Sequence, residues 1–178
     1  MRPFRFLSWA AAVAMVAHAF ATYGALPARI ATHFGFDGRA DGFADKSPWQ
    51  WALLPALAVG LQFLFELLSR AMPRNPGMIN IPDKERFLRL PRAYQAAAVL
   101  EVQRMLDLAA LGVTLLFLAI QWQMVRASGG TRIGSGTGVW MMLAPFGLTM
   151  GILLMVTRVT AAVDREARRW KESGSPAE

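Results

Sequence analysis

Residues 105–125 read MLDLAALGVTLLFLAIQWQMV, a run with one charged side chain, Asp107. An α-helix rises 1.5 Å per residue, so about 20 residues cross the roughly 30 Å hydrocarbon core of a bilayer. A backbone in lipid has to satisfy its own hydrogen bonds, which selects helix over irregular chain. Three further stretches have the same character: 7–26, 49–68 and 139–157. Between them lie segments that hold most of the Lys, Arg, Asp and Glu. The whole chain is 54% apolar and 17% charged, against roughly 25% charged in an average soluble domain. The sequence therefore predicts an all-α membrane protein. It is a four-transmembrane-helix bundle forming one domain over residues 1–172, with an ordered outer loop between helices 1 and 2.

The ends of the spans fit this reading. Trp49 and Trp51 open the second, Trp122 closes the third and Trp140 opens the fourth. Indole rings favour the headgroup level. Pro55 and Pro145 lie inside spans, which membrane helices tolerate. Gly112, Gly147 and Gly151 allow close helix approach, the last two as a GxxxG pair. The first span has a rival reading. Arg2 and Arg5 precede an apolar run that includes Ala17-His18-Ala19, a pattern that also fits a cleaved signal peptide. The run continues to Leu26, longer than a usual signal core, which favours a retained span.

The net charge of +7 raises the question of nucleic acid. The basic residues flank apolar spans and build no separate basic domain, so they read as topology signals instead. With the N-terminus inside, the inner segments carry Arg2, Arg5, Arg70, Arg74, Lys84, Arg86, Arg89, Arg92, Arg158, Arg165, Arg168, Arg169 and Lys171. The outer ones carry Arg29, Arg39, Lys46, Arg126 and Arg132. Both termini are expected in the cytoplasm, with an inner loop over 69–104 and a cytoplasmic tail over 158–178. The absence of cysteine excludes disulfides and thiolate metal sites.

The outer loop, residues 27–48, is dense in Gly, Asp and aromatics and reads as an ordered, turn-rich segment. His33, Asp37, Asp41 and Asp45 recur every four residues. On a helix they would share a face and could hold a metal, but Gly35, Gly38 and Gly42 argue against helix. A calcium loop would need an acid or Asn at Arg39 and a Glu at Pro48, and has neither. The simpler reading makes the Asp side chains turn caps that pair with Arg39 and Lys46. The alternative is a ligand, metal or catalytic site built on His33, Asp37, Asp41 and Lys46.

This loop carries a family resemblance. Leu26-Pro27, Ile30, His33-Phe34, Gly38, Asp41, Lys46 and Pro48 resemble the membrane domain-of-unknown-function family numbered 1648, which also forms the N-terminal part of SdpI-type toxin-immunity proteins. A proline common in the family is replaced by Ala31, and Gly35 stands where an Asn often follows the Phe. Asn80-Ile81-Pro82-x-Lys84 resembles the family's inner-loop motif. The resemblance implies a bacterial cytoplasmic-membrane protein with an outer-loop function, and immunity as one version of it. The second half of the chain matches only in having further helices.

The inner loop mixes Met78, Ile79, Ile81, Phe87 and Leu88 with charges. Asp83 and Glu85 suit a short helix opening at Pro82, either lying on the inner leaflet or solvated. From Pro91 the helical pattern runs to Val125. Glu101, Arg104 and Asp107 are spaced as helical neighbours, and Glu66 reaches their depth if spans two and three pack antiparallel. Together with His18 these are the intramembrane polar groups. They read either as a salt-bridged anchor at the interface or as a pathway lining, and for His18 a hydrogen-bonded packing role is expected. Asp164 and Arg168 form an i,i+4 pair in the tail. Arg126–Gly138 reads as a flexible connection; its Gly129–Gly134 part echoes a phosphate loop but lacks the lysine. Residues 173–178 read as disordered.

No nucleophile–base pair, metal-ligand cluster or nucleotide motif stands out, and no cofactor is expected. The expected function is non-enzymatic: a sensor, immunity or partner-binding protein acting through 27–48. Its partners are the lipid bilayer and an envelope protein or peptide toxin, not nucleic acid. The alternatives are a membrane-bound metal-dependent enzyme and a small transporter using Glu66, Asp107 and His18.

Overall fold

The computed structural model describes residues 2–35, 37–130 and 135–174, and for 135–142 the backbone alone. Four long helices dominate it: α1 (Pro3–Tyr23), α2 (Pro48–Ala71), α4 (Arg92–Ser128) and α5 (Ser135–Glu172), with a short α3 (Lys84–Arg89) between α2 and α4. All four long helices are apolar and long enough to cross a membrane. Their exposed side chains include Phe6, Phe20, Phe63, Leu67, Phe146 and Leu154. In water these would form apolar patches far larger than a soluble monomer presents; in a bilayer they meet lipid. The chain is an integral membrane protein.

Side-chain pairs fix how the helices run. Arg5 meets Glu66, Ser8 meets Gln62, Trp9 meets Phe63 and Ala19 meets Trp51, so α1 and α2 are antiparallel. Arg2 meets Asp107, while Ala19 and Leu26 share a cluster against which Met124 and Val125 pack; α1 and α4 therefore run parallel. Gly112 lies against Leu148 and Gly151 near Leu108, so α5 returns antiparallel to α4. Helix α4 is the hub: it packs against α1, α2 and α5.

Small side chains set the tightness of the middle. Ala12, Ala58, Ala110 and Thr114 are all buried, and small residues let membrane helices approach closely. Gly112 makes the closest approach, because a Cβ there would run into the Leu148 side chain. Nothing lies within 4 Å of a Cβ on Gly147. The expected close contact therefore belongs to Gly112 rather than to the GxxxG pair.

The start of α1 and the end of α5 lie at the end of the bundle opposite the loop 27–48. A second packed core sits there. Met72, Ile79, Phe87, Leu90, Val99, Val102, Val159 and Val163 are buried together, joining the α2 exit, α3, the first turns of α4 and the last turns of α5. Burying Phe87 completely is worth about 2 kcal/mol. This corrects the reading of the inner loop. Ile79, Phe87 and Leu90 turn inward onto α4 and α5 with Ile81 packed against them, while Met78 and Leu88 stay exposed. The helix opens at Lys84, not Pro82, because Asp83 adopts a left-handed φ of 58°. Gln95 caps the carbonyls that α3 leaves free, donating to Phe87 O, Leu88 O and Leu90 O. Asp164 is taken by Arg86 of α3 at 2.6 Å, so its expected pairing with Arg168 gives way to a tertiary one.

Helix α4 has 37 residues, about 55 Å of rod, which matches the overlong third helix read from the sequence. Helix α5 runs unbroken to Glu172, continuing span four into the basic tail. The expectations placed on the Trp140 side chain, on most of Gly129–Gly134 and on 175–178 lie outside the described residues.

Candidate functional site

Loop 27–48 folds as a β-hairpin. Strand β1 (Arg29–Phe34) pairs antiparallel with β2 (Ala40–Asp45). The repeat of His33, Asp37, Asp41 and Asp45 is thus no helical face. Ile30 and Ala31 drive the fold here: both are completely buried, with Ile30 in a cluster with Ala19, Leu26 and Trp51. Two glycines make the turn possible. Gly38 has φ 76°, a region open to glycine at no steric cost. Gly42 faces His33, whose Cβ would stand 2.8 Å from any Cβ added there. The family-motif residues Leu26, Pro27, His33, Phe34, Gly38, Asp41 and Lys46 therefore belong to one built object. Leu26 is in its core, and Gly38 makes its turn.

The hairpin is fastened to the bundle at two points. Ala31 N–H donates to Ser128 Oγ at 2.9 Å, at the last residue of α4. Lys46 Nζ donates to Leu26 O at 2.9 Å and lies 4.7 Å from the centre of the Tyr23 ring. Beneath the hairpin, Trp51 Nε1 of α2 donates to Ala19 O of α1 at 2.9 Å and ties the two helices together. Trp51 is therefore buried within the bundle, whereas Trp49 and Trp122 are exposed.

The outward side chains pair among themselves. His33 Nδ1 meets Asp41 Oδ1, and both are mostly exposed. Asp37 accepts from Arg39 N–H at 3.0 Å and bridges its guanidinium at 3.5 Å, as turn capping requires. The expected pairing of an Asp with Lys46 does not occur, because backbone carbonyls occupy its ammonium. Asp45 has no cation within 4 Å among the described residues. No group of three His, Asp or Glu gathers within ligand reach among those residues. The hairpin thus presents a rigid, mixed-charge face that can form hydrogen bonds and ion pairs with a partner.

At the other end, Asp107 is bound by Arg2 and Glu66 by Arg5 and Arg70. Arg104 bridges Glu101 on its own helix. This is the arrangement of a salt-bridged anchor. The N-terminal arginines were missed as its partners, since their position marked them only as topology signals. Signals for them existed: two cations at the start of one span and two acids at matching depth on others.

The interior also holds polar atoms with no partner among the described residues. His18 Nδ1, Gln62 Oε1, Ser69 Oγ and both amide atoms of Gln121 are buried and unpaired. The hydrogen-bonded role expected for His18 is not realised at Nδ1. On α4 the residues Asp107, Thr114, Gln121 and Ser128 recur every seven positions on one face, and the first three are buried. Asn80 and Pro82 are exposed, and the neighbouring Ile79 packs into the second core.

Residues 10–59 match the family model of a domain of unknown function, DUF1648. The matched stretch holds most of α1, the whole hairpin and the first half of α2, and stops short of Asn80 and Pro82. No curated protein and no solved structure matches the chain.

Proposed function

We propose that this chain is a non-enzymatic partner-binding or sensory protein of the bacterial cytoplasmic membrane, with both termini inside and the hairpin outside. The observation that carries this reading is the hydrogen bond from Ala31 of β1 to Ser128, the last residue of α4. It ties the exposed hairpin to a single unbroken helix whose other end packs in the second core with Val99 and Val102. A partner that shifts the hairpin acts on α4 directly, and a rigid helix moves as a unit. The family match, which covers the hairpin, and the excess of Lys and Arg at the opposite end support it as well. Immunity to a peptide toxin is one form this binding takes; reporting an envelope protein's presence is another. The test is genetic. A deletion strain and a His33→Ala strain are compared with wild type for envelope-stress reporters and for sensitivity to membrane-active toxins. If neither strain departs from wild type, the reading is wrong.

A small transporter is the second reading, favoured by the unpaired polar atoms of His18, Gln62 and Gln121 inside the spans. The close packing of Ala12, Ala58 and Ala110 at mid-bundle counts against a continuous path. Flux into proteoliposomes, compared with a Glu66→Gln variant, decides between them. The metal-dependent enzyme has less support, since His33 and Asp41 are engaged with each other. Metal analysis of the purified protein tests it.

A further inference from the structure

The backbone hydrogen bonds of the hairpin fix which way each residue of β2 faces. Lys46 N–H donates to Ala28 O, which makes 28 and 46 a bonded pair. Bonded and non-bonded pairs alternate along an antiparallel ladder. Ile30–Ala44 is then bonded, while Arg29–Asp45 and Ala31–Phe43 are not. The Ala31 N–H confirms this, because it turns away from β2 and donates to Ser128. The N–H groups of Phe43 and Asp45 therefore face away from β1. Helix α4 covers the outer edge of β1, and among the described residues no element packs along the outer edge of β2.

An open strand edge is a template for another strand. The side chains along β2 alternate Ala40, Gly42, Ala44 with Asp41, Phe43, Asp45, the second set being exposed. A second copy is a poor occupant. Antiparallel pairing centred on Phe43 would set Asp41 of each copy opposite Asp45 of the other, and like charges directly opposite are destabilising. A strand with cations at those two positions and an apolar side chain between them fits instead, the cation at Asp41 taking the place of His33, which meets that carboxylate in the free hairpin. Arg29 holds one acceptor of this edge in the free hairpin, its guanidinium donating to Phe43 O at 3.2 Å, and gives it up to the incoming strand.

We infer that the outer edge of β2 receives an extended basic segment of a partner polypeptide, added as a third antiparallel strand with cationic residues against Asp41 and Asp45. This deepens the partner-binding reading above and rests on it. The probe is a short blocked peptide with lysines two residues either side of a central phenylalanine. A matched peptide carries glutamates in place of the lysines. The full-length protein is held in nanodiscs of zwitterionic lipid, with empty discs as the control, and binding is followed by peptide fluorescence anisotropy.

The basic peptide should bind the loaded discs about fivefold more tightly than the acidic one, as two exposed ion pairs would give. Asp45→Asn should remove about half of that preference on a logarithmic scale. Phe43→Pro should abolish binding, since it deletes an outward N–H and leaves the pairing with β1 intact. Equal binding of the two peptides, unchanged binding to both variants, or equal binding to empty discs would each overturn the inference. A photo-crosslinker at His33 in living cells separates the two levels. Capture of a partner there, with no peptide preference, sinks the basic strand and leaves the partner-binding reading standing. No capture and no peptide binding sinks both.

Discussion

Arg2 holds Asp107 with two bonds, Nε to Oδ2 at 2.7 Å and Nη2 to Oδ1 at 2.5 Å, joining the first turn of α1 to the middle of α4. Both side chains are largely buried, at 17% and 9% exposed. Removing one partner leaves the other as an uncompensated charge, which costs about 3 kcal/mol for a buried pair. Asp107→Ala should therefore destabilise the purified protein strongly, and so should Arg2→Ala. The double variant should cost clearly less than the two added together. Arg104 provides the comparison. Its guanidinium is 41% exposed and bridges Glu101 on the same helix, so Arg104→Ala should cost less than about 1 kcal/mol. Equilibrium unfolding in detergent micelles gives all four values. A cycle with no coupling would remove the anchor.

Among the described residues Ser128 is the single side-chain tie between α4 and the hairpin backbone. Its Oγ accepts from Ala31 N–H and donates to Met124 O at 2.6 Å. Ser128→Ala leaves a buried N–H unpaired, a loss of about 1–3 kcal/mol. Hydrogen exchange localises the effect. The amide of Ala31 should exchange faster in the variant, while amides around Gly112 and Val159 keep their wild-type rates. Equal acceleration throughout would mean that Ser128 supports the bundle rather than the hairpin.

Gly42→Ala tests the hairpin from inside. The added Cβ meets the His33 Cβ at 2.8 Å, so β1 and β2 must part or slip. A slip by one residue would turn Ile30 out of its cluster, so the strands should separate instead. The variant should become sensitive to protease between Thr32 and Lys46, with the helix content of the protein unchanged. Resistance equal to wild type would show that the ladder has room which its geometry denies.

How much of this was readable beforehand depended on the range of each signal. The four spans are local: each needs only its own apolar run, and each was legible. The long α4 and the run of α5 into the tail were equally local. The hairpin was not read as strands, because Ile30 is buried by Trp51 and Leu26 from other elements, and β1 buries two consecutive residues, Ile30 and Ala31, which hides any alternation. Phe87 was left between a leaflet and a solvated loop because amphipathic helices bury against whatever is apolar, and the sequence does not say that Val99 and Val163 stand there. Trp51 reads like Trp49 in sequence; only the nearby carbonyl of Ala19 makes one a buried anchor while the other stays exposed. The acids Glu66 and Asp107 were legible as a group, but their arginine partners come from the other end of the numbering.

Gln121 gives the sharpest remaining test. Its side chain is 1% exposed, and neither amide atom has a partner among the described residues. It lies one turn inward from Met124 and Val125, on the α4 face turned toward Ala19 and Trp51. Pro55 has no N–H, so the carbonyl of Trp51, one turn earlier in α2, loses its usual helical donor at the same depth. Two outcomes are then possible for Gln121→Met, which keeps the volume and removes the polar atoms. If the amide is truly unpaired, the substitution relieves a desolvation penalty and should raise stability by about 1 kcal/mol. If ordered water links Gln121 to Trp51 O, the substitution removes those bonds and stability should fall by a similar amount. The strict seven-residue recurrence with Asp107, Thr114 and Ser128 places this polar group on the same line as the Asp107–Arg2 pair at mid-helix and the Ser128 contact at the helix end. We expect a gain, measured as the midpoint of unfolding in detergent, because a membrane helix with no partner for Gln121 has nothing to lose by its replacement. A fall in the midpoint would instead make Gln121 a hydrated joint between the hairpin end and the bundle.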